Sequence, residues 1–334
     1  MKAIQFVAPN KIEVKDVVMP EVKEGWGLIK VSHSGICGTD LNIYAGTHPR
    51  AKAPLTMGHE FSGVMANDVG DLKKGMRVTA YPLISCMKCT PCTEGNKHVC
   101  NTLGLFGIDC DGGMAEYVTI PAEQIIKLPD NVSDDVGALI EPIAVAVHTL
   151  RETEFTPGDN ALVFGCGTIG LCIALTLRLF GAGDILLADT DEMRIEMAKE
   201  LGFETINPAK DDILKITAEK TNGDGFDRVF DCAGAQAVAN SLLDVIKVRG
   251  KIVIVASYKK PTEMPLFKGM AKEVSIEFVR VYRQKDFEIA AKMAANEPLF
   301  AKIITHILPA DEAQKGFDLL FKKGTGAIKV MFQF

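Results

Sequence analysis

Between residues 160 and 282, apolar runs alternate with helical ones, and this alternation constrains the fold more than any other feature. The runs read NALVFG, DILLADT, FDRVFDCAG, GKIVIVAS and VSIEFVRVY, and the helical stretches include TIGLCIALTLRLFGA and DEMRIEMAKELG. Strands that are apolar along their length, separated by helices, imply a parallel sheet covered on both faces. The turn after the first run is Gly165-Cys166-Gly167-Thr168-Ile169-Gly170, which fits G-x-G-x-x-G. It follows a strand, opens a helix, and is followed nineteen residues later by Asp189 at the end of the next strand. That context makes it a dinucleotide fingerprint. Glycines allow a sharp turn and close approach to a pyrophosphate, which then faces the helix N-terminal amides. Asp189 is expected to accept hydrogen bonds from a ribose 2′-hydroxyl and to repel a 2′-phosphate, which favours NAD. Arg194, five residues on, either borders the adenine or lies on a solvated helix face.

The first 145 residues read differently. Short alternating runs such as GLIKVSHSG and GMAEYVTIPAE are separated by Gly, Pro and Asp turns, and helical patterning is sparse. The last fifty residues mix a helix (KDFEIAAKMAAN), a strand (AKIITHILP), a helix (DEAQKGFDLLFKKG) and a final strand (IKVMFQF). They are too few for a domain and are expected to return to the first one. A chain of 334 residues with 47% hydrophobic and 24% charged content suits two globular domains. A net charge of −6 argues against a nucleic-acid or anionic-membrane partner. No apolar run reaches the ~20 residues needed to cross a bilayer. Met1 leads into KAIQFVAPNKIEV, which alternates like a strand and has no signal-peptide core, so a cytoplasmic location is expected.

Four of nine cysteines, Cys86, Cys89, Cys92 and Cys100, fall within fifteen residues. Packed cysteines serve disulfides, iron–sulfur sites or zinc knots, and a reducing compartment disfavours the first. Other ligand types lie apart from this cluster: Cys37 in GICGTD, His59 and Glu60 in MGHEFSG, and Glu141 in LIEPIAVAVHTL. Cys, His and carboxylate are the ligand types of catalytic zinc, which keeps one position open for substrate.

GICGTDLNIYAG, GHEFSG, the C-x2-C-x2-C-x7-C lobe, DGGMAEY, IEPIAVAVHTL and GCGTIG occur in this order. As a set they make the chain resemble the zinc-dependent medium-chain alcohol dehydrogenases over essentially its whole length. Within that family it is most similar to the polyol (sorbitol-like) and threonine dehydrogenase branch. The resemblance implies an α/β chain. Its GroES-like β-rich catalytic domain would span 1–145 and 284–334, with a structural zinc lobe at 86–100 and a Rossmann NAD-binding domain at 146–283 between the two parts. It implies two zinc ions per subunit, NAD, a small polyol-type substrate and a homo-oligomer, tetramer or dimer. Cys86, Cys89, Cys92 and Cys100 would cage the structural zinc. Four thiolates form a closed site, which agrees. Iron–sulfur runs usually place the fourth Cys three residues on and follow it with Pro, whereas here the gap is seven and Asn101 follows. The remaining Cys110, Cys166, Cys172 and Cys232 read as buried small hydrophobes. His33, His98, His148 and His306 read as structural, and His48 either faces the active site or belongs to a plain turn.

By the same resemblance Cys37, His59 and Glu60 would hold the catalytic zinc, with Glu141 a fourth or intermittent ligand. Thr39 would accept the substrate's proton while hydride leaves for the nicotinamide. The chain also departs from its relatives. Many carry His five residues past this Cys as a proton relay, and here Asn42 stands there; an amide does not titrate near neutral pH. The Phe-Arg-Tyr of sorbitol-type relatives is matched by Arg280-Val281-Tyr282, with Arg shifted by one place. On a strand that shift turns the side chain to the other face. The expected activity is NAD-dependent oxidation of a polyol, sugar alcohol or sugar acid, with threonine or a sugar phosphate as alternatives and a non-catalytic nucleotide-binding protein as the remote one.

Overall fold

The computed structural model describes residues 1–322 and 324–334. It divides into two compact units, one of Met1–Ala144 with Tyr282–Phe334 and one of Val145–Val281.

A seven-stranded sheet organises the first unit. Its main path runs Ile125–Lys127, Arg77–Ala80, Glu60–Met65, Trp26–Gly35, Lys329–Gln333 and Ile304–Pro309, and Tyr117–Pro121 also pairs with Trp26–Gly35. The C-terminal strands therefore share a sheet with residues three hundred positions earlier. Trp26–Gly35 is the hub. Ile29 and Val31 point into a core with Phe61, Val78 and Val118, as period-2 alternation requires. A register shift between Val31 and His33 then re-aims the end of the strand. Beyond it Gly35 pairs with Glu60 on one side and with Met331 on the other. A short helix, Gly38–Tyr44, follows directly.

The second unit is a six-stranded parallel sheet in the order Glu204–Ile206, Ile185–Ala188, Ala161–Phe164, Phe226–Asp231, Ile246–Ile254, Ser275–Phe278. Numbered by sequence this is 3-2-1-4-5-6, the order of dinucleotide-binding folds. Ala161–Phe164 is buried at all four positions, which explains its uniformly apolar sequence.

Three sequence expectations are corrected. VSIEFVRVY is a strand only over Ser275–Phe278. Arg280 to Tyr282 lie beyond its end, and Val281 has φ +48, so the pleat argument about the shifted Arg does not apply. The expected scarcity of helix in the first 145 residues overlooks Asp134–Glu152, a nineteen-residue helix that carries Glu141. It is buried almost all round over residues 138 to 150, and Pro142 inside it reads as a breaker. The passage from one unit to the other falls within it. The C-terminal helix, expected over residues 311–324, occupies Ala313–Phe321; the part of that expectation that falls on Lys323 lies outside the described residues. Among the described residues no helix is long and apolar enough to cross a membrane.

Candidate active site

Cys37, His59 and Glu60 converge although they are far apart in sequence. One donor atom from each lies within 4.8 Å of the others. Cys37 caps the helix Gly38–Tyr44, and its backbone N–H donates to Asp40 Oδ2 at 2.9 Å. His59 precedes the strand Glu60–Met65, which Glu60 opens, and both side chains are buried. Asp40 is fully buried and sets Oδ1 3.8 Å from His59 Nδ1. Neither of these two atoms has a hydrogen-bond partner, a rarity for buried polar atoms. A metal on the opposite, Nε2 edge fits this pair, since it leaves the proton on Nδ1 facing the carboxylate. A Cys, a His and a carboxylate make a three-donor set with a place to spare, as zinc requires for chemistry.

Charge is concentrated around these donors. Burial opposes a charged imidazole on His59, but Cys37 and Asp40 beside it raise its pKa well above the usual value. Burial raises Asp40, with His59 opposing. Glu141 is not one of the three converging donors. It accepts a 2.7 Å hydrogen bond from the Tyr282 hydroxyl, and burial pushes it up to about 7. Lys329 is buried too, and donates to Glu60 Oε2 at 2.5 Å and to the Ile36 carbonyl at 2.9 Å. Thr39 is half-buried on the helix after Cys37. Sequence reasoning missed Asp40 and Lys329. Asp40 was within sight in CGTD, and Lys329 is a lone charge in an apolar terminal strand.

The four-cysteine lobe is compact. Cys89 Sγ lies 3.5 Å from Cys92 Sγ and 3.8 Å from Cys100 Sγ. Zinc–sulfur bonds of about 2.3 Å give a tetrahedron with edges of about 3.8 Å, so the spacing fits. No described cysteine is in a disulfide. Backbone amides point at the sulfurs: Cys86 N–H at Cys100 Sγ (3.2 Å), Cys89 N–H at Cys86 Sγ (3.4 Å) and Thr102 N–H at Cys100 Sγ (3.4 Å). Amides of Lys88 and Cys89 draw Cys86 down to about 6, and those of Cys86 and Thr102 lower Cys100, whereas burial pushes Cys92 up to about 12.

In the second unit Gly167 caps the helix Thr168–Leu179, of which Thr168 and Ile169 are the first residues. Gly165 has φ +97, a conformation that side chains resist. A Cβ on Gly170 would collide with the Gly165 carbonyl, so the helix comes this close to the turn only with glycine at 170. Asp189 takes the Cys166 N–H at 2.7 Å and the Asp191 N–H at 2.9 Å. Gly165, Gly167, Asp189 and Arg194 line a cavity of 330 Å³.

Elsewhere, Cys166 and Cys172 are buried as expected, but Cys110 is exposed and Cys232 half-exposed, because each ends on a loop rather than inside a strand or helix. His98 and His148 are buried, and His33 and His306 are half-buried beside hydroxyls of Ser32 and Thr305. His48 accepts backbone N–H groups of Arg50 and Ala51 on Nδ1 at 3.4 and 3.2 Å. Its pKa is lowered by burial and Arg50, and also by His59. Asn42 is half-buried, and its carbonyl caps Thr47 and His48. Arg280 is exposed, and Arg283 Nη2 donates to Asn96 in the cysteine lobe at 3.1 Å.

Residues 23–130 match the family model of the alcohol dehydrogenase GroES-like domain, and residues 168–296 that of zinc-binding dehydrogenases. The chain is 32% identical to L-threonine 3-dehydrogenase of Bacillus velezensis over 329 residues, 94% of each chain. A short chain alcohol dehydrogenase from Escherichia coli CFT073, complexed with cofactor NADH, superposes with TM-score 0.91 at 29% identity, covering 100% of this chain and 99% of that one. The 2R,3R-butanediol dehydrogenase of Bacillus subtilis gives TM-score 0.91 at 30% identity, again over 100% and 99%. With a metal donor set in the GroES-like half and a dinucleotide loop in the Rossmann half, the chain belongs to the zinc-dependent medium-chain alcohol dehydrogenase family.

Proposed function

We propose that the protein oxidises a secondary alcohol of a polyhydroxylated substrate, with NAD as the hydride acceptor. The observation that carries this reading is the open Cys37–His59–Glu60 set beside the buried Glu141–Tyr282 pair. Zinc supplies, when bound, the Lewis acidity that brings a substrate hydroxyl's pKa toward neutrality, and a nicotinamide supplies the hydride acceptor. Cys37, His59 and Glu60 hold the metal, and Asp40 keeps His59 in the tautomer a ligand needs. Thr39 takes the substrate's proton. Asn42 cannot carry it further, so it leaves through water or His48. Glu141, held through Oε1 by the Tyr282 hydroxyl, accepts a hydrogen bond from a neighbouring substrate hydroxyl on its other oxygen; a plain alcohol leaves that oxygen without its partner, which costs rate. In the lobe, Cys86, Cys89, Cys92 and Cys100 hold a second zinc that stabilises the loop without doing chemistry. Asp189 selects NAD over NADP.

L-Threonine is the competing substrate, favoured by the similarity to threonine dehydrogenases; the Glu141 carboxylate would be the partner of its ammonium group. The test is steady-state NADH formation with matched polyols, aldonates, sugar phosphates, L-threonine and simple alcohols. A polyol is expected to give the highest kcat/KM. L-Threonine as the best substrate would move the assignment to the second reading, and ethanol or benzyl alcohol would refute both.

A further inference from the structure

Lys329 has no role in the reaction as described, yet its surroundings are costly. It opens the strand Lys329–Gln333, whose next three residues are fully buried. Its own side chain is only 2% exposed. An ammonium is almost never buried so far unless paired. Its partners are the Ile36 carbonyl, next to Cys37, and one oxygen of Glu60.

The sheet builds this contact deliberately from three strands. Gly35 lies between Glu60 and the terminal strand, paired with Glu60 on one side and Met331 on the other. A Cβ on Gly35 would collide with Glu60 Oε2. The missing side chain is the gap through which the carboxylate reaches Lys329. Only Oε1 of Glu60 remains without that cation.

We propose that Lys329 is a positioning residue: by holding Oε2, it limits Glu60 to one oxygen toward the catalytic metal and preserves the place that substrate needs. This rests on the Cys37–His59–Glu60 donor set proposed above. A carboxylate with both oxygens free can serve a metal through two, and in a three-residue site the second oxygen takes the position that catalysis requires. Lys329 thereby decides the openness of the site without touching substrate.

The experiment replaces the catalytic metal by cobalt(II) and records the visible spectrum, taken as a difference against Cys37→Ser to remove the contribution of the four-cysteine lobe. Wild type is expected to show a thiolate-to-cobalt charge-transfer band and the intense ligand-field bands of a four-coordinate ion. In Lys329→Met the ligand-field bands fall severalfold while the charge-transfer band and metal content persist. Lys329→Arg, which still donates to Oε2, keeps the wild-type spectrum. In Glu60→Gln the side chain offers one oxygen whatever stands at 329, so Glu60→Gln with and without Lys329→Met should give the same spectrum. Should Lys329→Met fail to fold, Lys329→Ala, which also removes the donor, gives the same readout. Absence of the charge-transfer band in wild type would overturn the donor set itself. A band that is present, with ligand-field intensity unchanged in Lys329→Met, would overturn the role of Lys329 alone. A loss of thermal stability with no spectral change would assign Lys329 to charge balance instead.

Discussion

Replacing Tyr282 by Phe removes one buried oxygen and little else. The ring is fully buried and meets Tyr81 and Phe287 edge to face, with centroids 5.7 and 5.3 Å away. A Phe ring keeps both contacts. What disappears is the 2.7 Å hydrogen bond to Glu141. A hydrogen bond to a charged group contributes about 1.5–3 kcal/mol, and one pKa unit corresponds to about 1.4 kcal/mol. Burial already holds Glu141 at about 7, and the Tyr282 hydroxyl pulls it down. Without that donor it should rise by a further ~1–2 units.

The sign for stability follows from proton binding. A carboxyl with a folded pKa above its unfolded value holds its proton more tightly in the native state. Stability is then greatest below the unfolded pKa and declines as pH rises toward the folded one. For Glu141 in the metal-free protein the window runs from 4.5 to about 7, and the decline is about 3 kcal/mol. His59 and Asp40 are raised as well. His59 contributes stability that is present below 6.5 and lost as pH rises through its higher folded pKa, so the slopes add. Thermal melts of chelated protein from pH 5 to 9 should therefore fall with pH, and the Phe variant should go on falling beyond the point where wild type levels off. In the metal-loaded enzyme the acid limb of kcat/KM should move to higher pH. A melting profile and an acid limb that both coincide with wild type would refute the reasoning.

Cys89→Ser removes a sulfur close to two others of the lobe. Structural zinc contributes about 10–16 kcal/mol in small domains, so the variant should lose one zinc per chain and loosen the backbone beside Lys88 and Lys97, whose side chains are already exposed, enough for trypsin to cut there; full zinc content with no new cleavage counts against the cage. Asp189→Gly abolishes the carboxylate at the nucleotide cavity and should narrow the preference for NAD over NADP by ~10–100-fold, while wild type using both equally well would contradict the reading of Asp189. Asn42→His should raise activity at slightly acid pH by adding a titratable group. An unchanged pH–rate profile would mean the proton leaves Thr39 by a route that bypasses position 42.

The two-part architecture was legible in the residues because its signals are local. A βα turn with three glycines and an acid at the next strand end need only nearby sequence to be read, and Gly165 and Gly170 occupy the strained and crowded positions that the pattern anticipates. Four cysteines within fifteen residues announced a metal lobe for the same reason. Cys37, His59, Glu60 and Glu141 were recognisable as ligand types, since chemistry restricts that choice to few residues.

What tertiary structure decided is which of these meet. Three of the four converge, while Glu141 is held on Tyr282. That distinction depends on a long buried helix that Pro142 disguises in the sequence. Lys329 was illegible because its partner stands 269 residues earlier, and only strand order brings the two ends of the chain across Gly35. Side-chain type is a property of the sequence; the pairing of Lys329 with Glu60 is a property of the sheet, because a buried charge needs a partner and here strand order supplies it.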